Sequence, residues 1–163
     1  MFGNKKGQSA MEYLMTYGWA ILIIAIVLAA LFSLGVFSSS SFTGTTCIAS
    51  SGFLCSNPVL HDGNFIATIG QATGTTWTDG IFCFVPSGTT MSTPSAVSCP
   101  SSTYPGNAAT SIPSGYSASE TFTGVATPTV GTTITGSIWA VYQTSNGGPI
   151  YTTQVATVTA KAV

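Results

Sequence analysis

The sequence predicts an α+β fold, a long N-terminal hydrophobic helix followed by an all-β, immunoglobulin-like sandwich of about seven strands. Three observations carry this expectation. Residues 13–60 contain no Asp, Glu, Lys or Arg, and Trp19 to Phe37 is apolar apart from Ser33 and Gly35. Beyond that stretch, short runs of β-branched and aromatic residues alternate with Gly, Pro and Ser. All four cysteines, Cys47, Cys55, Cys83 and Cys99, fall in this second region.

The first segment is apolar on every side, so a helix formed there has no face to turn to water. Leu14 to Phe37 is 24 residues, about 36 Å as a helix, enough to cross the ~30 Å hydrocarbon core of a bilayer. Lys5 and Lys6 stand on the short side of it, which keeps the N-terminus cytoplasmic and sends the rest across. Exposing the 17 apolar side chains between Trp19 and Phe37 to water would cost on the order of 25–50 kcal/mol. Such a helix has two good environments, lipid or a bundle of like helices. Ala25, Ala29 and Ser33 recur every four residues, a small-residue stripe that lets helices approach closely.

Strand character recurs downstream at Phe65–Ile69, Ile81–Val85, Thr121–Val125, Thr132–Gln143 and Ile150–Val158. In the fourth run Ile134, Ile138, Ala140 and Tyr142 share one side of a strand, with Thr133, Thr135, Ser137 and Trp139 on the other. Asn146-Gly147-Gly148-Pro149 reads as the hairpin turn between the last two runs. Gly70 and Gly74 read as turn glycines, His61-Asp62 as a surface turn, and Trp77 and Trp139 as anchors of the core. The domain organisation that follows is 1–7 as a leader, 8–42 as the hydrophobic helix segment and 43–163 as the sandwich.

An even number of cysteines in an uncharged region indicates two disulfides formed in an oxidising compartment. The rival, a zinc site, ordinarily shows close CxxC pairs, whereas the spacings here are 8, 28 and 16. Three pairings are possible. Cys47–Cys55 and Cys83–Cys99 are favoured, because Ser50-Ser51-Gly52 and Pro86-Ser87-Gly88 supply turns inside those loops.

Composition removes several function classes. Charged residues make up 4% of the chain, against about 25% in a soluble globular protein. There is no Arg, and Lys161 is the only Lys besides Lys5 and Lys6, so the basic stripe of a nucleic-acid binder is missing. One His, no nucleophile–base pairing, no phosphate loop and no metal cluster argue against an enzyme and against any cofactor. The polar component is hydroxyl instead, with 21 Ser and 26 Thr, a density that permits O-linked sugars. No Asn-X-Ser/Thr sequon occurs.

At the N-terminus, Lys5-Lys6-Gly7, an acid at Glu12 and an apolar helix stand in fixed order. A secretory signal has an apolar stretch of about 7–15 residues and a small-residue cleavage site after it; here the stretch is longer and that site is poor. With Gln8-Ser9-Ala10-Met11-Glu12-Tyr13-Leu14, residues 1 to about 37 resemble the class III signal peptide and helix of archaeal type IV pilins. Ser51-Gly52-Phe53-Leu54-Cys55 and Gly70-Gln71-Ala72-Thr73-Gly74-Thr75-Thr76-Trp77 are similar to segments of small archaeal pilins. The resemblance implies cleavage between Gly7 and Gln8 by a prepilin peptidase, with Lys5 and Lys6 holding the leader at the cytoplasmic face. It implies that Glu12 neutralises the new amino terminus of its own or a neighbouring subunit and so sets axial register. Glu12 also favours an adhesive pilus over a swimming filament.

The expected function is therefore that of a structural subunit of an adhesion pilus. The partners expected are further copies of the chain in a helical homopolymer, the prepilin peptidase, an assembly ATPase and a membrane platform protein. The precursor is expected in the cytoplasmic membrane and the product in a cell-surface filament. The alternative is a single-pass, membrane-anchored surface binding module, carbohydrate-directed in one version, and a third reading is a protein cut near Ser38 and secreted.

Overall fold

The computed structural model describes residues 5–36, 44–109, 111–125 and 129–163, without the side chains of residues 5–9, 108 and 109. The chain divides into two units, Met1–Phe42 and Thr43–Val163. The first four leader residues and the serine run Ser38–Ser41 lie outside the described residues.

Unit one is a single helix, α1, Lys5–Ser33, about 43 Å long. Between Gln8 and Ser33 the run is rich in Ala, Leu and Met, with no Pro and a single Gly, Gly18. The helix stops at Gly35, whose φ of 68° is a left-handed conformation that a residue without Cβ takes at little cost. The Gly35 amide donates to the Phe32 carbonyl and the Val36 amide to the Leu31 carbonyl, the paired bonds of a Schellman end. Near the other end the Thr16 hydroxyl donates to the Glu12 carbonyl (2.9 Å), and Tyr13 and Tyr17, four residues apart, bring their rings to 4.2 Å.

Unit two is a sandwich of eight antiparallel strands in two sheets. The strands are β1 (Thr46–Ala49), β2 (Phe53–His61), β3 (Asn64–Gln71), β4 (Asp79–Pro86), β5 (Tyr104–Ala109), β6 (Tyr116–Phe122), β7 (Thr133–Gln143) and β8 (Tyr151–Lys161). One sheet has the order β1-β8-β7-β4-β5 and the other β2-β3-β6. The two packed antiparallel sheets are immunoglobulin-like in architecture. The connectivity is distinct: an immunoglobulin constant domain sets its first, second, fifth and fourth strands in one sheet, whereas here β1 pairs with β8.

Strands β3 and β4 contain the expected runs, β7 and β8 each begin one residue inside theirs, and the Asn146–Pro149 turn joins the β7–β8 hairpin, with the Gly148 amide bonded to the Ser145 carbonyl. The run expected at Thr121–Val125 is displaced: β6 ends at Phe122. Strand β2 carries a bulge between Ser56 and Val59 that accommodates Asn57 and Pro58, and Pro105 lies in β5. Both strands are sheet edges, where a missing N–H is tolerated. Asp62 and Gly63 have φ of 48° and 75°, the two positive values of a tight hairpin turn, and His61 pairs with Asn64 across it.

The core is aromatic. Trp77, Phe65, Phe82, Phe84 and Phe122 are fully buried with Leu60, Ile69, Ile112 and Ile138. Trp77 stacks on Tyr142 at 4.0 Å between centroids, and Phe65 meets Phe84 at 5.6 Å. Trp139, expected beside Trp77 in this core, instead lies half-buried on the outer face of β7. Gly70 is not a turn residue either. It sits inside β3, where an added Cβ would come within 2.8 Å of the Tyr116 carbonyl oxygen.

Two disulfides fasten the sandwich. Cys47 pairs with Cys55 and joins β1 of one sheet to β2 of the other. Cys83 pairs with Cys99 and ties the long β4–β5 connection to β4. The two loops they close span 8 and 16 residues, worth about 2–3 kcal/mol each in the chain-entropy account.

Glu120 is a carboxylate in the interior, 1% exposed. It extends from β6 to β5, where its Oε2 accepts the Asn107 amide at 2.8 Å. Burial pushes its pKa above the ordinary carboxylate range, and the Asn107 hydrogen bond partly opposes the rise. The Glu120 charge and burial together raise the Tyr116 hydroxyl, burial contributing more. A folded-state pKa above the unfolded one means that the native state holds the proton more tightly. The stability contributed is full below the ordinary carboxylate pKa and is lost as pH rises through the raised value.

Thermal unfolding followed at pH 4 and pH 7.5 therefore shows a Glu120 contribution that favours the acid side. Glu120→Gln, which keeps an acceptor for Asn107, flattens that part of the pH profile. Trp77→Ala lowers unfolding free energy by about 3–5 kcal/mol, read from denaturant melts of the oxidised protein.

Candidate functional site

The most unusual surface belongs to α1. Among the described residues it is the one helix long and apolar enough to cross a membrane, over Ala10–Ser33. Met15, Trp19, Ile21 and Phe32 are each more than 60% exposed, so large apolar side chains project on all sides of the helix. This helix fits membrane insertion or a signal, and the two disulfides suggest an oxidising, extracellular environment for the sandwich.

The N-terminal residues singled out from the sequence all fall on α1. Lys5, Lys6, Gly7 and Gln8 form its first turn, where the leading N–H groups have no intrahelical acceptor. Opening the Gly7–Gln8 bond to a protease therefore sacrifices little helix. Glu12 follows one turn later, and among the described side chains its carboxylate has no ion-pair partner. Ala25, Ala29 and Ser33 lie on successive turns about 6 Å apart along the axis. A four-residue spacing advances the stripe by about 40° per step, so it runs obliquely round the helix.

The sandwich brings the two other singled-out segments together. The Ala72 amide donates to the Gly52 carbonyl at 2.8 Å, so Ser51–Cys55 and Gly70–Trp77 meet at one end of the three-stranded sheet. Gln71, 1% exposed, organises the second segment. Its Nε2 donates to the Thr75 and Ile112 carbonyls at 2.9 and 3.1 Å, and its Oε1 accepts the Thr73 amide and hydroxyl at 3.0 and 2.8 Å. Beside it, the absent side chain of Gly70 leaves an open pocket of about 170 Å³ between Leu54 and Ser117.

Neither Gln71 nor Glu120 was expected to be structural from the sequence. The signal for Glu120 is its place in the series Tyr116, Ala118, Glu120, Phe122, the inward-facing positions of an alternating strand. Gln71 has no comparable signal.

His61 and Asp62 sit 3.1 Å apart at a hairpin tip, both well exposed. Among the described residues no group of three or more His, Cys, Asp or Glu side chains could hold a metal ion. Comparison with protein-family models, curated proteins and solved structures found no match.

Replacing Ile23 and Val27 by Arg puts two charges mid-helix, each costing about 2.5–3.5 kcal/mol of insertion free energy. The double variant shifts from the membrane pellet to the aqueous or aggregated fraction after carbonate extraction, while the parent stays in the pellet.

Proposed function

We propose that the chain is a structural subunit of an extracellular filament of the archaeal type IV adhesion-pilus kind, polymerising through α1. One observation carries the reading: a helix with no polar face, ending at Gly35 and followed by a disulfide-fastened sandwich. A helix of this kind is stable in lipid and equally stable among copies of itself, so it transfers from one to the other without crossing water. The sandwich then forms the outer sheath. Its few charges make subunit contacts little dependent on salt.

On this reading a prepilin peptidase cuts between Gly7 and Gln8 while Lys5 and Lys6 remain at the cytoplasmic face. The new amino group at Gln8 carries a positive charge. Glu12, a carboxylate next to a segment that excludes water, gains most by meeting that charge, and a neighbour's amine fixes the axial offset between subunits. A membrane platform and a cytoplasmic ATPase supply the work of extraction. The Ala25, Ala29 and Ser33 stripe seats the adjoining helix.

N-terminal sequencing of the mature product, with electron microscopy of sheared surface material, tests the reading. A start at Gln8 in helical fibres is the expected outcome. A start at Met1 or Phe2 without fibres assigns an anchored module, and a start near Ser38 assigns a secreted protein. Ala29→Leu inserts normally and abolishes fibres; fibres at parental yield refute the stripe as a contact.

A further inference from the structure

The outer face of the five-stranded sheet is built in two parts. Phe82 and Phe84 of β4 point into the main core, so Cys83 and Val85 point the other way. They are nevertheless buried, 0% and 2% exposed, on the side to which the Cys83–Cys99 bridge ties the β4–β5 connection. Past this covered part the same face continues across β7 and β8 and is open. There it forms a groove of about 370 Å³ with the turn after β4 as one wall.

The lining of that groove is chemically uniform. Cross-strand partners share a face, and the register sets Ser137 beside Thr157 and Thr135 beside Thr159, with Gln154 and Ser87 completing the groove. Every polar lining group is a hydroxyl, an amide or main chain, and none is charged. Lys161 stands one row beyond, opposite Thr133. The Ser137 hydroxyl accepts the Trp139 indole N–H at 3.0 Å and keeps its own proton to donate. The Thr157 hydroxyl accepts Gln154 Nε2 at 3.3 Å and likewise keeps its proton. Among the described residues the Thr135, Thr159 and Ser87 hydroxyls have no side-chain hydrogen bond.

Trp139 stands at the end of the groove, opposite Gln154 on one side and Cys83 on the other. Its N–H is already engaged by Ser137 and the residue is only half-buried, so what it has left to offer a ligand is apolar ring surface. Strands are about 4.8 Å apart, roughly the width of one pyranose ring, so neighbouring hydroxyl rows match the reach of a sugar unit.

We propose that this groove binds a neutral oligosaccharide, one sugar stacked on Trp139 and its neighbours hydrogen-bonded to the Thr135–Thr159 and Ser137–Thr157 rows. A polyhydroxylated neutral ligand is what the lining matches, with many two-way hydrogen-bonding groups and no charge to leave unpaired, and the Trp139 indole adjoins it through Ser137. The groove volume lies at the lower end of small-ligand sites and suits one or two sugar units. This binding does not depend on polymerisation and holds for a filament subunit or a lone anchored chain.

The test is a calorimetric titration of the full chain in a detergent without a sugar headgroup. The probes are maltohexaose, mannohexaose, cellohexaose and chitohexaose, each to about 10 mM, where even millimolar binding is measurable. At least one probe is expected to give a saturable change. Trp139→Ala should weaken it at least about tenfold, since aromatic stacking contributes about 1–3 kcal/mol by alanine substitution in base recognition. The double variant Thr135→Val, Thr159→Val keeps side-chain volume and the fold, and should weaken binding about fivefold or more. No saturable change with any of the four probes, or parental affinity in both variants, overturns the proposal.

Discussion

Water cannot be a neighbour of α1. The helix's large side chains are exposed along its described length, and the sandwich has its own aromatic core. On the proposed reading that apolar surface is covered by lipid first and then by other chains. The same exclusion gives Glu12 its interest, since a carboxylate one turn into such a helix is stable at a wet boundary or against a positive charge and nowhere else.

The sandwich solves a different problem, which is to hold eight short strands together with few ion pairs. It uses covalent and neutral links at the places where a sheet is weakest. Edge strand β1 is bridged to edge strand β2 by Cys47–Cys55. Edge strands β5 and β6 are bridged by Glu120 and the Asn107 amide. Thus each open side of the two-sheet stack carries a specific cross-link. The loop before Trp77 is held by a glutamine whose hydrogen-bonding capacity is almost fully used. Main-chain pairing and aromatic packing do the rest.

Where the sequence was legible, one physical signal dominated. The apolar helix announces itself by composition, and β7 and β8 by alternation with β-branched residues. The cysteine pairing follows from turn residues inside two short loops. The strands least legible in the sequence are those in which an edge position relaxes the rules. Pro58 and Pro105 disguise β2 and β5, β1 is four residues long, and Glu120 makes β6 look like a polar loop. Asp62-Gly63 was a usable hairpin signal, and it points directly to β2. Trp139 shows a different limit. Alternation already set it opposite Ile138 and Ala140, yet its size suggested the core; size governs how much a residue gains from burial, and parity governs whether it can get there. The groove beside it depends on register between β7 and β8, including the irregularity after Ile138, and no single strand contains that information.

The position of the Cys47–Cys55 bond has a mechanical meaning. Tension drawn through the chain from the helix side enters the sandwich at the start of β1, where Thr46 pairs with Thr159 and Cys47 with Val158. Peeling can release that first pair, but at Cys47 the load divides. One part continues along β1 and the other passes through sulfur into β2 and the second sheet. A strand four residues long would tear away early if pulled alone; anchored in this manner, it shares the strain with the whole stack.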